Sequence, residues 1–199
     1  MSNQQSTENV LPYDGIARYD GKLFDPKIAH ELLSRLLNNI LWQHDELVMF
    51  GKKITTKRKM AWYGDYPFEY TYSKVTKKAH LWTDDLLEIK NEVEAHTGEK
   101  FNACLLNLYH DGNEGMSWHA DNEKELLKHG AIASISFGAE RKFVFKHRTT
   151  KEKVELVLES GSVLVMKGEI QEHWLHALPI QKKCKALRIN LTFRTINIL

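Results

Sequence analysis

Hydrophobic positions repeat with the period of a helix in two segments of the N-terminal half. Asp25-Pro26 is a typical helix start, with aspartate as the N-cap and proline in the first turn. The apolar residues that follow recur on one face: Leu32, Leu33, Leu36, Leu37 and Ile40. A second helix is predicted from near Thr83, with Asp84 and Asp85 in its first turn, to Gly98.

From Phe101 onward the pattern changes to short strands punctuated by glycines. The predicted strands cover residues 103–109, 131–137, 142–147, 153–159, 162–167 and 186–194. Strands this closely spaced predict an antiparallel sandwich or jelly roll, also called a double-stranded β-helix. The predicted fold class is therefore α+β, mainly β, with the two N-terminal helices against one sheet. Residues 48–75 follow neither period and are predicted to form no regular element.

Length and composition predict one globular domain. The chain has 199 residues, 42% hydrophobic and 27% charged, which excludes disordered and fibrous classes. We expect a flexible tail over residues 1–10, a single domain over 11–199 and a jelly-roll core over 101–196. Two cysteines without a CxxC motif indicate neither a disulfide framework nor a zinc site.

Localisation follows from what the sequence lacks. The polar start has no secretory h-region, and no apolar run approaches the roughly 20 residues that cross a bilayer. We expect an intracellular monomer without membrane contact, cytoplasmic if bacterial and nuclear if eukaryotic.

Positive charge is concentrated in two places. Residues 51–59 contain five basic side chains and no acid, and a second cluster comprises Lys182, Lys183 and Lys185. Such clusters can bind phosphates, although a solvated basic loop explains them equally well.

The last predicted strand alternates apolar and polar residues. Leu187, Ile189, Leu191 and Phe193 point one way, and Arg188, Asn190, Thr192 and Arg194 point the other. The polar face could simply be solvated. Two arginines on one face would also bind a dicarboxylate, because guanidinium groups form forked pairs with carboxylates.

A candidate metal site begins at His119-Ala120-Asp121. This H-x-D spacing puts an imidazole and a carboxylate on one side of an extended backbone. A third ligand could be His173 or His176, and the spacing does not choose between them. Two histidines and one carboxylate on one face suit non-haem iron(II), which keeps open positions for oxygen and a co-substrate. A surface His119–Asp121 pair is the alternative.

The order of these motifs resembles the AlkB family of iron(II)- and 2-oxoglutarate-dependent dioxygenases, and most of all its duplex-preferring animal DNA demethylases. The matching segments are NLYHDG (107–112), WHADNE (118–123), IASISFGAERKFVFKH (132–147), HWLHALP (173–179) and RINLTFR (188–194). The resemblance implies His119, Asp121 and His176 as iron ligands. It also implies a 2-oxoglutarate site formed by Asn107, Tyr109, Arg188, Asn190, Thr192 and Arg194.

The same resemblance gives residues 48–75 a role in recognising nucleic acid. It implies that Phe50, before Gly51, is a wedge that fills the gap left by an extruded base. Lys52 and Arg58 would hold phosphates, and Tyr70 and Tyr72 would line the base pocket. Glu123 would contact the exocyclic nitrogen of the base. Packing beneath the helices is an equally good explanation for Trp62 and Phe68.

The activity implied is oxidative removal of alkyl groups from bases such as 1-methyladenine and 3-methylcytosine in alkylated DNA. It would use Fe(II), 2-oxoglutarate and O2, and release succinate, CO2 and formaldehyde. The alternatives are the same chemistry on RNA and a non-catalytic damage-binding module. The basic and aromatic segment argues against a protein substrate, but it does not separate RNA from DNA.

Overall fold

The computed structural model describes residues 8–49, 52–72 and 75–197, with side chains described outside 45–54 and 70–77. The described helices are α1 (Pro26–Asn39), α2 (Asp84–Thr97) and α3 (Ile170–His173). The described strands are β1 (Ile16–Lys22), β2 (Gln43–Met49), β3 (Lys52–Gly64), β4 (Glu69–Tyr72), β5 (Val75–Lys78), β6 (His80–Leu81), β7 (Ala103–Tyr109), β8 (Met116–His119), β9 (Ile132–Gly138), β10 (Arg141–His147), β11 (Lys153–Leu158), β12 (Ser162–Lys167), β13 (Trp174–Leu178) and β14 (Arg188–Arg194).

Two sheets form the framework. The larger has the strand order β1-β12-β9-β14-β7-β3-β2, with β6 paired parallel to β3. The smaller has the order β11-β10-β13-β8, and β4 pairs with β5 in a separate hairpin. Apart from β6 with β3, the described pairings are antiparallel. This arrangement confirms the predicted mainly-β jelly roll.

Helices α1 and α2 begin at the predicted capping residues, and α2 also ends at the predicted glycine. The Asp25 side chain accepts hydrogen bonds from the backbone N–H groups of Lys27 and Ile28, and the Thr83 side chain accepts one from Leu86. Gly98 ends α2 with a φ of 73°, a conformation that glycine adopts without steric cost. The apolar faces of α1 and α2 pack on one side of the large sheet, as expected.

Residues on β12 and β14 show how the sheet separates its two faces. Val163 and Val165 pack toward the helices, whereas Leu164 and Met166 pack toward the small sheet. In β14, Ile189, Leu191 and Phe193 join the helix-side core. The alternating residues of β14 therefore face the space between the two sheets, and the predicted alternation is confirmed.

The prediction that residues 48–75 form no regular element was wrong. The segment includes the end of β2, the 13-residue strand β3, β4 and part of β5. β3 pairs with β7 from Lys59 opposite Leu108 to Gly64 opposite Ala103. Pairing with a distant strand satisfies the backbone of a segment whose local sequence shows no strand period, because tertiary context overrides propensity.

The prediction also lacked strands β1, β2, β6, β8 and β13. The predicted tail is ordered in part, since Asn9 forms a bridge with Arg18 and Val10 N–H donates to the Ala17 carbonyl. Residues 1–7 lie outside the described part.

No helix in the described chain is long and apolar enough to span a membrane.

Candidate active site

Three of the predicted metal ligands meet where β8 and β13 pair. His119 ends β8 and lies opposite His176 of β13, with ring centroids 4.3 Å apart. Asp121 follows two residues after His119, and its Oδ1 lies 3.9 Å from His119 Nε2. One donor atom from each of the three residues lies within 4.8 Å of the others. The structure thus brings together His119, Asp121 and His176, whereas His173 lies in a different cluster.

The two imidazoles are held by their surroundings. His119 Nδ1 lies 2.8 Å from the Ser117 carbonyl, which can only accept, so Nδ1 donates and Nε2 is the ring nitrogen available to a metal. His176 is 4% exposed, and its ring stacks on Phe143 at 5.5 Å. Burial lowers the pKa of His176 to about 4, against the attraction of Asp121, which keeps the ring neutral near pH 7.

Asp121 is held from two directions. Its backbone N–H donates to Gln171 Oε1 at 2.9 Å, and its Oδ1 lies 3.1 Å from Arg194 Nη2. Burial favours the neutral acid, but Arg194, followed by the two histidines, outweighs burial and lowers the pKa of Asp121. The carboxylate is therefore ionised. Two imidazole nitrogens and one carboxylate oxygen fit the ligand set of non-haem iron(II).

A wall of polar residues from β14 and β7 faces these ligands. Arg188 lies opposite Tyr109, and Asn190 lies opposite Asn107. They line a cavity of about 280 Å³ between the two sheets. Its wall also contains Thr192, Arg194 and the three metal-ligand candidates. All six predicted 2-oxoglutarate residues therefore surround the same space as the triad.

Arg188 is the buried cation of this wall. Its side chain donates from Nη2 to Ser136 Oγ at 2.9 Å, and its guanidinium carbon lies 5.5 Å from the centre of the Tyr109 ring. Its Nε is buried and has no hydrogen-bond partner among the described residues. Burial lowers the pKa of Arg188 to about 10, so the group stays charged at neutral pH. A buried cation with an unmet donor facing a cavity is suited to an anionic ligand.

Asn190 and Thr192 brace the wall. Asn190 Nδ2 donates to Ser134 Oγ at 2.8 Å and to the Ile135 carbonyl at 2.9 Å on β9. Thr192 Oγ1 donates to Asn190 Oδ1 at 3.4 Å. The two Asn190 bonds link β14 to β9 by a side chain as well as by the backbone ladder, and the Thr192 bond lies within β14.

The predicted nucleic-acid residues are distributed unevenly. Glu123 lines the cavity at the Asp121 end. Arg58 is 9% exposed, lines the same cavity and directs Nη1 toward Met116 Sδ at 3.0 Å. The predicted phosphate contact of Arg58 stays a prediction.

Several other predicted contact residues lie wholly or partly outside the described part of the chain. Phe50 and Gly51 are outside the described residues. For Lys52, Tyr70 and Tyr72 the backbone lies in β3 and β4, and their side chains are outside the described part. Trp62 is 4% exposed, lies in a small apolar cluster with Ala79 and Ala103, and also borders the cavity. Phe68 packs against that cluster.

Two residues of the site were missed by the sequence interpretation. Gln171 holds the Asp121 backbone from 50 positions away, and no local pattern marks such a contact. Trp118 is 38% exposed, lines the cavity and has Lys146 Nζ 4.3 Å above its ring. A tryptophan directly before a candidate metal ligand was the available sequence signal for that residue.

Comparison with known proteins agrees with this geometry. A profile of the 2OG-Fe(II) oxygenase superfamily matches residues 17–194. Human DNA oxidative demethylase ALKBH2 is 42% identical over 185 residues, which cover 87% of this chain and 71% of that protein. Bovine alpha-ketoglutarate-dependent dioxygenase alkB homolog 3 is 35% identical over 182 residues, covering 86% of this chain and 63% of that protein.

The solved structure of OsALKBH1 has a similar fold. Its TM-score is 0.59 at 17% identity, and the match covers 93% of this chain and 98% of that one. At this identity the likeness extends to the fold alone.

Proposed function

This chain belongs to the 2OG-Fe(II) oxygenase superfamily and, within it, to the AlkB homologues, and we propose that it removes alkyl groups from damaged bases in DNA. When bound, Fe(II) and 2-oxoglutarate would supply the activation of O2 that oxidises an N-alkyl carbon, with release of succinate, CO2 and formaldehyde. Lesions of the 1-methyladenine and 3-methylcytosine type are the proposed substrates.

The observation that carries this proposal is the joint placement of the triad and the Arg188 wall around one cavity. His119, Asp121 and His176 would hold the iron. Two imidazole nitrogens and an ionised carboxylate oxygen leave one face of the metal open to other ligands.

The two ends of 2-oxoglutarate need different partners. Its distal carboxylate requires a cation that stays charged when buried, which supports Arg188 with Tyr109 in that role. Arg194 already pairs with Asp121, which supports a role for Arg194 at the metal-bound end, where Asn107 would assist it.

For the base, Glu123 and Trp118 lie on the cavity wall beside His119. A carboxylate favours a cationic methylated base, and an aromatic face can stack on a base flipped out of the duplex. We propose that Tyr70 and Tyr72, on the β4–β5 hairpin, complete the pocket.

Duplex DNA is the proposed form of the substrate. The human relative's name, DNA oxidative demethylase, supports DNA. Phe50 and Gly51 come between β2 and β3, which pair as far as Met49 opposite Lys52. We propose that Phe50 is the apolar wedge at this position and that Lys52 contacts a phosphate. We further propose that the protein acts as an intracellular monomer built on one domain over residues 11–199.

The test is mass spectrometry of methylated oligonucleotides after incubation with Fe(II), ascorbate and 2-oxoglutarate. Methylated DNA should lose one methyl mass per lesion, with one succinate formed for each. His119→Ala and Asp121→Ala should abolish the mass loss, whereas His30→Ala, an exposed histidine on α1, should not. If only methylated RNA is demethylated, the substrate is RNA and not DNA. If the protein binds methylated DNA tightly but forms no succinate, it is a binding module and not an enzyme.

A further inference from the structure

A second cluster of metal-binding donors lies outside the active site. Among the described residues, Asp14, His147 and His173 each offer one donor atom, and these atoms lie within 4.8 Å of one another. They come from the loop before β1, the end of β10 and the end of α3. The cluster repeats the two-histidine, one-aspartate composition of the active site on different elements.

The distances within the cluster suit a small divalent transition cation. His147 Nε2 lies 3.2 Å from Asp14 Oδ2. Zn²⁺ bonds to nitrogen and oxygen are about 2.0–2.1 Å long, so two ligands of a tetrahedral site are about 3.3 Å apart. The rings of His147 and His173 are nearly parallel, at 7°, with centroids 6.2 Å apart. His173 is half-buried and can adjust to complete the site.

The position of Asp14 is fixed by its neighbours. Trp174 Nε1 donates to the Tyr13 carbonyl at 3.0 Å, which ties the loop to the start of β13. Asp14 has a φ of 54°, a left-handed conformation that aspartate tolerates better than most residues. At Gly15 an added Cβ would lie 2.7 Å from Ile170 Cα, so the loop packs directly on α3. The backbone of Asp14 is thus held in place before any ligand arrives.

The imidazole of His147 also has the outer partner that metal-bound histidines use. Its Nδ1 lies 3.1 Å from Thr150 Oγ1, which in turn lies 2.9 Å from the Tyr13 hydroxyl. The Tyr13 hydroxyl donates to Glu152 Oε2 at 2.7 Å. A metal-ligating histidine donates its second ring N–H to such an acceptor, which fixes the ring and its tautomer.

The hydrogen bonds of His147 indicate which of its ring nitrogens carries the proton. Thr150 N–H donates to His147 Nδ1 at 3.1 Å, so the neutral ring carries its proton on Nε2 and donates it to Asp14. Metal binding at Nε2 requires the ring proton to move to Nδ1, where Thr150 Oγ1 can accept it, and the Thr150 N–H must then give up its bond to Nδ1.

We propose that Asp14, His147 and His173 form a second metal site, for a divalent transition cation of the zinc class, with water as the fourth ligand. Water and the cation have access because the Asp14 and His173 side chains are 47% and 39% exposed. His147 is buried, which gives the site one rigid ligand and two adjustable ones.

A cation bound at this second site would stabilise the elements that carry the active-site ligands. His173 ends α3, and Gln171 on the same short helix accepts the Asp121 N–H. β13 begins at Trp174 and carries His176 three residues after His173. A cation that joins Asp14, β10 and α3 would restrain that turn without occupying the iron site.

The experiment counts bound zinc by native mass spectrometry in the whole protein and in single variants. Wild type should bind two zinc ions, because Zn²⁺ also occupies two-histidine, one-carboxylate sites. Asp14→Asn, which keeps the size and the left-handed tendency of the residue, and His173→Gln should each bind one. His119→Ala should also bind one, and His119→Ala combined with His173→Gln should bind none.

A matched control removes an imidazole of similar exposure that belongs to no cluster. His129 is 39% exposed and pairs with Glu172 at 2.9 Å, so His129→Gln should retain two zinc ions. In the His119→Ala background, zinc should raise the melting temperature in a concentration-dependent way, and adding His173→Gln should remove that rise. A zinc count that Asp14→Asn and His173→Gln leave unchanged overturns the proposal, as does a count of zero for His119→Ala.

Discussion

The side-chain oxygen of Gln171 accepts the backbone N–H of Asp121 at 2.9 Å. Gln171 lies on α3, which leads into β13 and His176, and Asp121 follows His119 at the end of β8. One hydrogen bond therefore connects the two segments that carry the metal-ligand candidates. It fixes the backbone of Asp121, while Arg194 fixes its carboxylate.

Replacing Gln171 with leucine should weaken metal binding without unfolding the protein. The variant keeps the volume and removes the acceptor, and loss of such an outer contact typically lowers metal affinity by about 10–100-fold. Titration with Mn(II) in the presence of 2-oxoglutarate measures the change. Glu172→Gln, at the exposed neighbouring residue, should leave the affinity unchanged, and an unchanged affinity for Gln171→Leu would show that Arg194 alone positions Asp121.

Arg188→Lys should raise the KM for 2-oxoglutarate although the positive charge is kept. Lysine cannot form the forked pair, and a hydrogen bond to a charged group contributes about 1.5–3 kcal/mol, which corresponds to roughly 10–100-fold in affinity. Succinate formation at varied 2-oxoglutarate measures the effect.

The control for that variant is Arg141→Lys. Arg141 is also almost fully buried, but it donates to the carbonyls of Glu114 and Pro179. Its replacement should lower the melting temperature and leave the KM unchanged. If both variants lose stability and neither changes the KM, Arg188 has a structural role only.

Phe50→Ala should impair repair of a methylated duplex far more than repair of the same lesion in a single strand. Only a duplex leaves a hole when a base is extruded, and flipping there costs a few kcal/mol that a wedge offsets. Both repair rates and the melting temperature are measured together. Equal losses on both substrates, with a lowered melting temperature, would assign Phe50 to the core instead.

Glu94→Gln should lower stability at neutral pH and have little effect in acid. Glu94 accepts from Lys100, Lys90 and the Phe101 N–H at 2.7, 2.8 and 2.9 Å, between α2 and β7. Burial alone would raise the pKa of Glu94, but these donors outweigh it and the pKa is lowered. Its ionised form is therefore favoured in the folded state.

The lowered pKa of Glu94 determines how its contribution to stability changes with pH. The stabilisation is complete above the unfolded pKa of about 4.3 and is lost as the pH falls through the lower folded value. Urea denaturation should show a difference of about 1–3 kcal/mol between wild type and Glu94→Gln at pH 7. The difference should shrink below about pH 4. Glu92→Gln, on the exposed face of α2, should show none, and a difference independent of pH for Glu94→Gln would contradict the argument.

Local periodicity determined much of this protein. The Asp25 and Thr83 caps, the alternation of β14 and the H-x-D motif were predictable because each depends on residues a few positions apart. The order of the motifs pointed to the AlkB family, and that resemblance implied the roles of the site residues. The mainly-β fold with two helices against one sheet follows from these signals together.

Only the tertiary structure decided which distant residues meet. Strand pairing sets His176 opposite His119, whereas His173, three residues earlier, ends α3 and lies with His147 and Asp14. Pairing with β7 makes β3 a strand and buries Arg58 in the cavity wall. The bond from Gln171 to Asp121 likewise spans 50 positions. Such contacts depend on sheet register and loop closure, and a single chain's local pattern carries no signal for either.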